Sequence, residues 1–284
     1  MTFAVRQINL QFTSANGKTL KLEGLRCAAV ITNPGGNNAL GQLQLQVWGM
    51  TLDQMNEYSS IGSNMVQAQD QSVTVTAGNQ NGTLNQVFSG NLISSFIDFS
   101  NAPEVSFVCA AVAGYYNKAA PAAPNTYKGS NKAEDIIQAL AGQIGYEFVN
   151  KNNATAVVQN QYLSGSIIDQ IMTVARTAPF PLIIENKKVI IFPNDGYRDE
   201  LIVNLSAETG LIGYPSYWEA GFTVRSEFNP IIAIGRQINL KSQIPKANGK
   251  FAIQYATHEI STLTPDGPWF TTSKLGPPPY VPKN

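Results

Sequence analysis

The sequence predicts a mainly β chain with a small α/β unit set into its middle. Three observations carry this. Apolar and polar residues alternate with period two in the first and last thirds, as in Ile8-Asn9-Leu10-Gln11-Phe12 and Phe222-Thr223-Val224-Arg225. Two amphipathic helical patterns follow one another in the middle third. Turn dipeptides, Asn16-Gly17 and Asn248-Gly249, stand between strand-like runs. The 284 residues therefore divide into a β domain over 1–100, an α/β insert over 101–200 and a β domain over 201–284.

In chain order, Ile8, Leu10 and Phe12 form the first strand face, and Asn16-Gly17 turns it back. Asn33-Pro34-Gly35-Gly36 marks a loop. Leu43, Leu45 and Val47 alternate with Gln42, Gln44 and Gln46, the pattern of a sheet with one wet or partner-facing side. A short helix over Thr51 to Tyr58, capped by Thr51, would bring Leu52, Met55 and Asn56 to one side. Val73 and Val75 begin a further strand, Asn79 to Gly82 turn it, and Val87 to Phe99 resume strand sequence. Val105 to Val112 is apolar on both faces, as a buried strand requires.

Ala119-Ala120-Pro121-Ala122-Ala123-Pro124 reads as a loop, because proline blocks both helix and central strand. A helix from about Asn131 to Ile144 follows. Asn131 and Glu134 stand at capping-box spacing, and Ala133, Ile136, Ile137, Leu140 and Ile144 share a face that Gly145 ends. A second helix spans about Ser166 to Thr177, opened by Ser166 and Asp169 and closed by Pro179. Leu182-Ile183-Ile184 and Val189-Ile190-Ile191-Phe192 then form a hairpin around Glu185-Asn186-Lys187. In the last third the strand faces are Phe222 with Val224, Ile238 with Leu240, and Phe251 with Ile253 and Tyr255. Pro277-Pro278-Pro279 make the C-terminal tail extended.

Charged residues are 13% of the chain, about half the usual share, and Asn, Gln, Ser and Thr take their place. Such a surface repels itself weakly, which suits packing against other protein; it is equally the surface of an ordinary Asn- and Gln-rich β protein. Net charge is zero and no basic stripe stands out, against sequence-specific nucleic-acid binding. No apolar run reaches the roughly 20 residues of a membrane helix, and Met1 to Leu10 lack a signal-peptide core, so the expectation is cytoplasmic synthesis without direct membrane binding.

The residues offer little chemistry. Cys27 and Cys109 lie in apolar strand-like runs and read as reduced core thiols, with a disulfide possible but not required. The single histidine, His258, sits at strand spacing between Ala256 and Ile260, and no Gly-x-Ser-x-Gly elbow exists to partner it. Glycoside chemistry needs two facing carboxylates; Glu134-Asp135 and Asp199-Glu200 are adjacent and do not face each other. No phosphate loop or Cys-x-x-Cys spacing occurs. The expectation is no enzyme, no cofactor and no metal. Tyr115-Tyr116 and Tyr217-Trp218 leave a second possibility open, a carbohydrate- or receptor-binding β module.

Two segments resemble phage proteins. Gly41 to Met55, where a strand ends in a short turn and runs into Thr51-x-x-x-Met55, is similar to the first domain of phage baseplate hub proteins. Gly213-x-Pro215, Gly221 to Val224, Phe228-Asn229-Pro230, Ile234 to Ile238, Asn248 to Phe251, Thr257 to Ile260 and Gly267 to Thr272 together resemble the closing domain of tail hubs. Ala113-Gly114-Tyr115-Tyr116, the proline loop and the two helices look like the hub insert.

The resemblance, which extends to the hub part of type VI secretion spike proteins, implies that the outer domains are two related small β-barrels. It implies a homotrimeric ring in the baseplate of a contractile virion tail, assembled in the host cytoplasm. Six barrels would match the sixfold tail tube protein on one face, and the central spike protein would bind the other. Other baseplate proteins would surround the ring, and DNA would pass through it. With no fused spike or lysozyme domain, puncturing falls to a separate partner. His258 falls on the family's histidine strand, where a structural role is expected. Val47, Trp48 and Gly49, with Phe228, Asn229 and Pro230, are the expected subunit contacts.

Overall fold

The computed structural model describes residues 5–35, 40–60, 70–80 and 82–277. The fold is mainly β, with mostly antiparallel sheets and a few short helices. Gly36, Met1 to Ala4, Pro278 and Pro279, named above, lie outside the described residues.

The first third contributes β1 (Arg6–Thr13), β2 (Thr19–Leu22), β3 (Cys27–Asn33), β4 (Gln42–Trp48), α1 (Leu52–Tyr58), β5 (Ser72–Asn79) and β6 (Asn85–Asp98), with β7 (Ser106–Val112) following. The alternation sets the faces as expected: Ile8, Leu10 and Phe12 enter a core with Leu43, Leu45, Val47, Val73 and Val75. Gly17, with φ of +83°, makes the β1–β2 turn. In α1 the Thr51 hydroxyl accepts from Gln54 N while the Gln54 side chain accepts from Thr51 N. Its buried side is Met55 and Tyr58, not Leu52, Met55 and Asn56; Leu52 is 53% exposed. Seven residues make barely two turns, and residues three apart stack against one core strip.

The middle third holds α2 (Tyr115–Ala119), β8 (Asn125–Lys132), α3 (Ala133–Gln143), β9 (Glu147–Val149), β10 (Val157–Leu163), α4 (Ile167–Thr177), β11 (Leu182–Glu185) and β12 (Lys188–Ile191). Ile136, Ile137 and Leu140 of α3 meet Ile168, Ile171 and Val174 of α4 in a second apolar cluster. Ser166 caps α4 as the spacing requires. The α3 cap does not follow the expectation. Lys132 stands at the N-cap without a side-chain bond, and Asn131 belongs to β8, its amide turned to the carbonyls of Lys128 and Gly129. The Glu134 carboxylate accepts instead from Thr155 and from Ala156 N, so it ties α3 to the segment before β10. Ala119, expected in a loop, ends α2.

The last third contains β13 (Ile202–Leu205), β14 (Leu211–Trp218), β15 (Gly221–Glu227), β16 (Gln237–Leu240), β17 (Gly249–Thr262) and β18 (Trp269–Gly276). Val203, Leu205, Phe222, Val224, Ile238, Leu240 and Ile253 form a third apolar cluster. Asn248-Gly249 is not a two-residue turn. Gly249 already pairs with Leu240 in β17, and Asn248 Oδ1 accepts from Ser242 N to staple an eight-residue connection.

The two outer thirds are not separate barrels. Their strands form one 13-stranded sheet along the path β14-β15-β18-β17-β3-β4-β7-β6-β5-β1-β2, with β16 and β13 branching from β17. Among the described residues the ends of this path do not meet, so no closed barrel results. The join is β17. Its 14 residues span roughly 46 Å, long enough for its first residues to pair with β16 and its last with β3.

Candidate assembly surfaces

Chemistry-bearing residues come first. Cys27 and Cys109 are buried free thiols. Burial pushes the Cys109 thiol up to about 12, so it stays protonated. His258 is 3% exposed, its Nδ1 lies 2.9 Å from Thr271 Oγ1, and the Phe228 ring meets it edge-on. Burial lowers its pKa to about 4, so the imidazole is neutral near pH 7 and acts as packing. Among the described residues no three His, Cys, Asp or Glu side chains gather as a metal site would need.

The surface is more informative. Register aligns side chains across the outer face of the central sheet. One row runs Phe270, Glu259, Val30, Gln44, Ala110 and Ser94. The next carries Ala28, Gln46, Val108 and Phe96, the last 51% exposed. From β3 to β6 these two rows carry no charge. Arg225 marks the charged side: it stacks over Phe270 at 4.3 Å and pairs with Glu259 at 3.8 Å. A surface without charge is cheap to desolvate against another protein.

Trp48 belongs to this face, in the end row with Ser106 and Asp98, and Arg26 lies over its ring at 4.4 Å. Val47 points the other way and is 0% exposed, because neighbours on a strand face opposite sides. Gly49 follows at φ +87°. Phe228 is partly buried against Trp269 and His258, Asn229 N is held by Thr271 Oγ1, and Pro230 opens a loop. The register puts both expected contact segments at the same end of the sheet, four strand spacings apart, roughly 19 Å.

A charged junction that the sequence reading did not assemble lies between the middle unit and the last third. Arg198 Nη2 donates to Glu185 Oε1 at 2.6 Å and Arg198 Nη1 to the Ile234 carbonyl. Arg236 Nε donates to Asp199 at 2.9 Å and its Nη1 to the Ile231 carbonyl. Glu185, Arg198, Ile231 and Arg236 border a cleft of about 370 Å³ that also reaches Asn33 and His258. The signal was present in Arg198-Asp199-Glu200, a run of three charges in a chain poor in charge.

The aromatic pairs separate. Tyr115 and Tyr116 are part of α2, and Tyr217 is 67% exposed while packing on Phe222. Trp218 donates its indole N–H to the Leu275 carbonyl.

A sequence model of the family described as baseplate hub gp41 matches residues 19–273. No curated protein matches the sequence. Among solved structures, a tail protein from Neisseria meningitidis MC58 shares the fold with a TM-score of 0.64 at 9% identity, covering 94% of this chain and 96% of that one. A 43 kDa tail protein of prophage MuSo2 from Shewanella oneidensis gives 0.62 at 9%, covering 96% and 98%. An E. coli type VI secretion component, described as structurally similar to the T4 bacteriophage tail proteins gp27 and gp5, gives 0.56 at 12%, covering 99% and 77%. At these identities the likeness is one of fold.

Proposed function

Because the chain belongs to the baseplate hub gp41 family, we propose that it is a structural hub subunit of a phage tail baseplate, working as a homotrimeric ring. In this reading the ring adapts a sixfold tail tube to a threefold central spike and surrounds the path of DNA. It contacts the tube protein, the spike protein and other baseplate proteins, belongs to a contractile tail, and is assembled in the host cytoplasm before it joins the virion. It performs no catalysis.

The observation that carries the reading is the family match over residues 19–273. The division near 1–100, 101–200 and 201–284, with the outer parts playing the tube-like role, is part of this reading; the middle and last apolar clusters support it, while the first also draws in Phe107, Cys109, Ala111, Ile260 and Trp269. The uncharged outer face supports burial against neighbouring protein. Trp48 with Gly49, and Phe228 to Pro230, are proposed near subunit contacts, Val47 supporting the first from the core. An obligate ring of this kind buries more than about 2,000 Å².

The test is solution mass by light scattering, alone and with candidate spike and tube proteins. A species three times the 30.7 kDa chain is expected. A chain that stays monomeric with both partners present would overturn the trimer. The exposed ring of Tyr217 keeps one second reading alive, a carbohydrate- or receptor-binding module. Binding on a glycan array that a Tyr217→Ala change abolishes would favour it.

A further inference from the structure

The two ends of the central sheet carry complementary features. At the end marked by Trp48, the β6–β7 turn presents Phe99, an aromatic side chain 56% exposed. Asp98 precedes it, in the end row with Ser106 and Trp48. The Asp98 carboxylate accepts from Ser100 N at 2.9 Å and from Ser100 Oγ at 2.6 Å, and pairs with no cation among the described residues.

At the other end, where β3 runs out into Pro34, a cleft of about 320 Å³ opens between the last strands and the β11–β12 hairpin. Pro34, Ile183, Ile234, Trp218 and Tyr255 give it apolar and aromatic walls. Gly35 holds one wall against β17: a Cβ there would stand 2.1 Å from the Gln254 carbonyl oxygen, a backbone atom that cannot swing aside. Lys274 is the only charged residue among the described residues of the lining. Its ammonium lies 5.3 Å and 5.4 Å from the Trp218 and Tyr255 ring centroids and pairs with no carboxylate among the described residues.

We propose that the cleft receives the β6–β7 turn of a second copy of this chain, with Phe99 against the aromatic walls and Asp98 paired with Lys274. The contact rests on the homotrimer reading above and names one of the surfaces that would hold the ring together. An aromatic ring meets aromatic walls, and two unpaired opposite charges find each other. One chain cannot make this contact with itself. From Thr262, level with Val47, back to Tyr255, the partner of Lys274, β17 runs roughly 23 Å. Turn and cleft are different patches at opposite ends, so copies join head to tail, and such contacts close into a ring when the rotation between copies allows. The turn also lies two strand spacings from Trp48, roughly 10 Å, and so continues the contact surface proposed there.

The test is the trimer dissociation constant, read by light scattering over a concentration series in the sample where the parent chain assembles. Phe99→Ala, Asp98→Lys and Lys274→Glu should each weaken assembly about tenfold or more. Asp98→Lys and Lys274→Glu in one chain should return assembly to within about threefold of the parent, because every contact then carries the swapped pair. Within one chain the two charges are much farther apart than the screening length of about 8 Å at physiological salt, so such a rescue acts between copies. Leu263→Ala, at a residue 69% exposed at the same end of the sheet as Phe99, should leave assembly unchanged. A parent trimer indifferent to Phe99→Ala and to both charge reversals, or weakened by Leu263→Ala alone, would overturn this contact and leave the ring reading standing. Charge reversals that do not rescue each other would also overturn it. A parent chain that stays monomeric with its partners present would overturn the ring reading, and this contact with it.

Discussion

The imidazole of His258 shares a buried hydrogen bond with the Thr271 hydroxyl, 2.9 Å from Nδ1 to Oγ1, across the β17–β18 pair. Its pKa in the fold is about 4 against an ordinary 6.5, because burial disfavours the charged ring. The folded value lies below the unfolded one, so the unfolded chain takes up the proton first. The stability contribution is whole above pH 6.5 and is lost progressively as pH falls towards 4. Linkage makes the loss between pH 7 and 4.5 one on the order of 2 kcal/mol. His258→Gln should remove that component, and urea unfolding of both chains at the two pH values reads it as a smaller loss of unfolding free energy between pH 7 and 4.5 in the variant. An equal loss of unfolding free energy in both chains would show that His258 is not the titrating group.

Asp199 is 8% exposed and anchors Arg236, with Arg198 beside it bound to Glu185. Removing the carboxylate with Asp199→Ala strands a largely buried guanidinium and should cost about 3 kcal/mol. Adding Arg236→Met should recover part of the loss, because the uncompensated charge disappears. Denaturant midpoints of the single and double variants check this, and a double variant no better than the single one would deny the coupling.

Helix caps separate two positions that look alike in the sequence. Ser166→Ala removes the bond to Asp169 N and should cost about 1 kcal/mol. Asn131→Ala, at a residue that caps no helix, should stay within about 0.5 kcal/mol of the parent. Thermal melts of the two variants measure the difference.

Val47 and Trp48 are neighbours with opposite fates. Val47→Glu buries an unpaired charge in the first core and should prevent stable folding. Trp48→Glu loses the Arg26 stack, worth about 1 kcal/mol, and should leave a folded chain whose assembly with its partners is weakened. Circular dichroism with light scattering distinguishes loss of fold from loss of assembly. A Trp48→Glu chain that assembles normally would place the subunit contacts elsewhere.

Much of the fold was legible because it rests on local periodicity. β1, β4, β5, β15 and β16 follow from alternation, and α3 and α4 from their apolar stripes. Ribbon β8–β10 was not legible. Its strands run over the surface, Gly129 and Asn160 interrupt their register, and no alternation survives. β13 alternates, with Val203 and Leu205 buried, but over only four residues, and β14 carries Gly213 and Pro215 where its pairing with β15 shifts. The α3 cap was misread because Asn131 and Glu134 have the spacing of a cap while their bonding partners lie elsewhere.

Sequence alone determined the β, α/β, β order, the core side of most strands and the scarcity of charge, since each depends on residues a few positions apart. Tertiary structure decided what depends on residues far apart. It joined β3 to β17, more than 200 positions away, and made the outer thirds one sheet. It brought Glu185, Arg198, Asp199 and Arg236 to one junction. It also aligned Val30, Gln44, Ala110 and Ser94 into an uncharged face. The physical reason is that alternation specifies which side of a strand is buried, whereas strand partners are selected by long-range pairing across the whole chain.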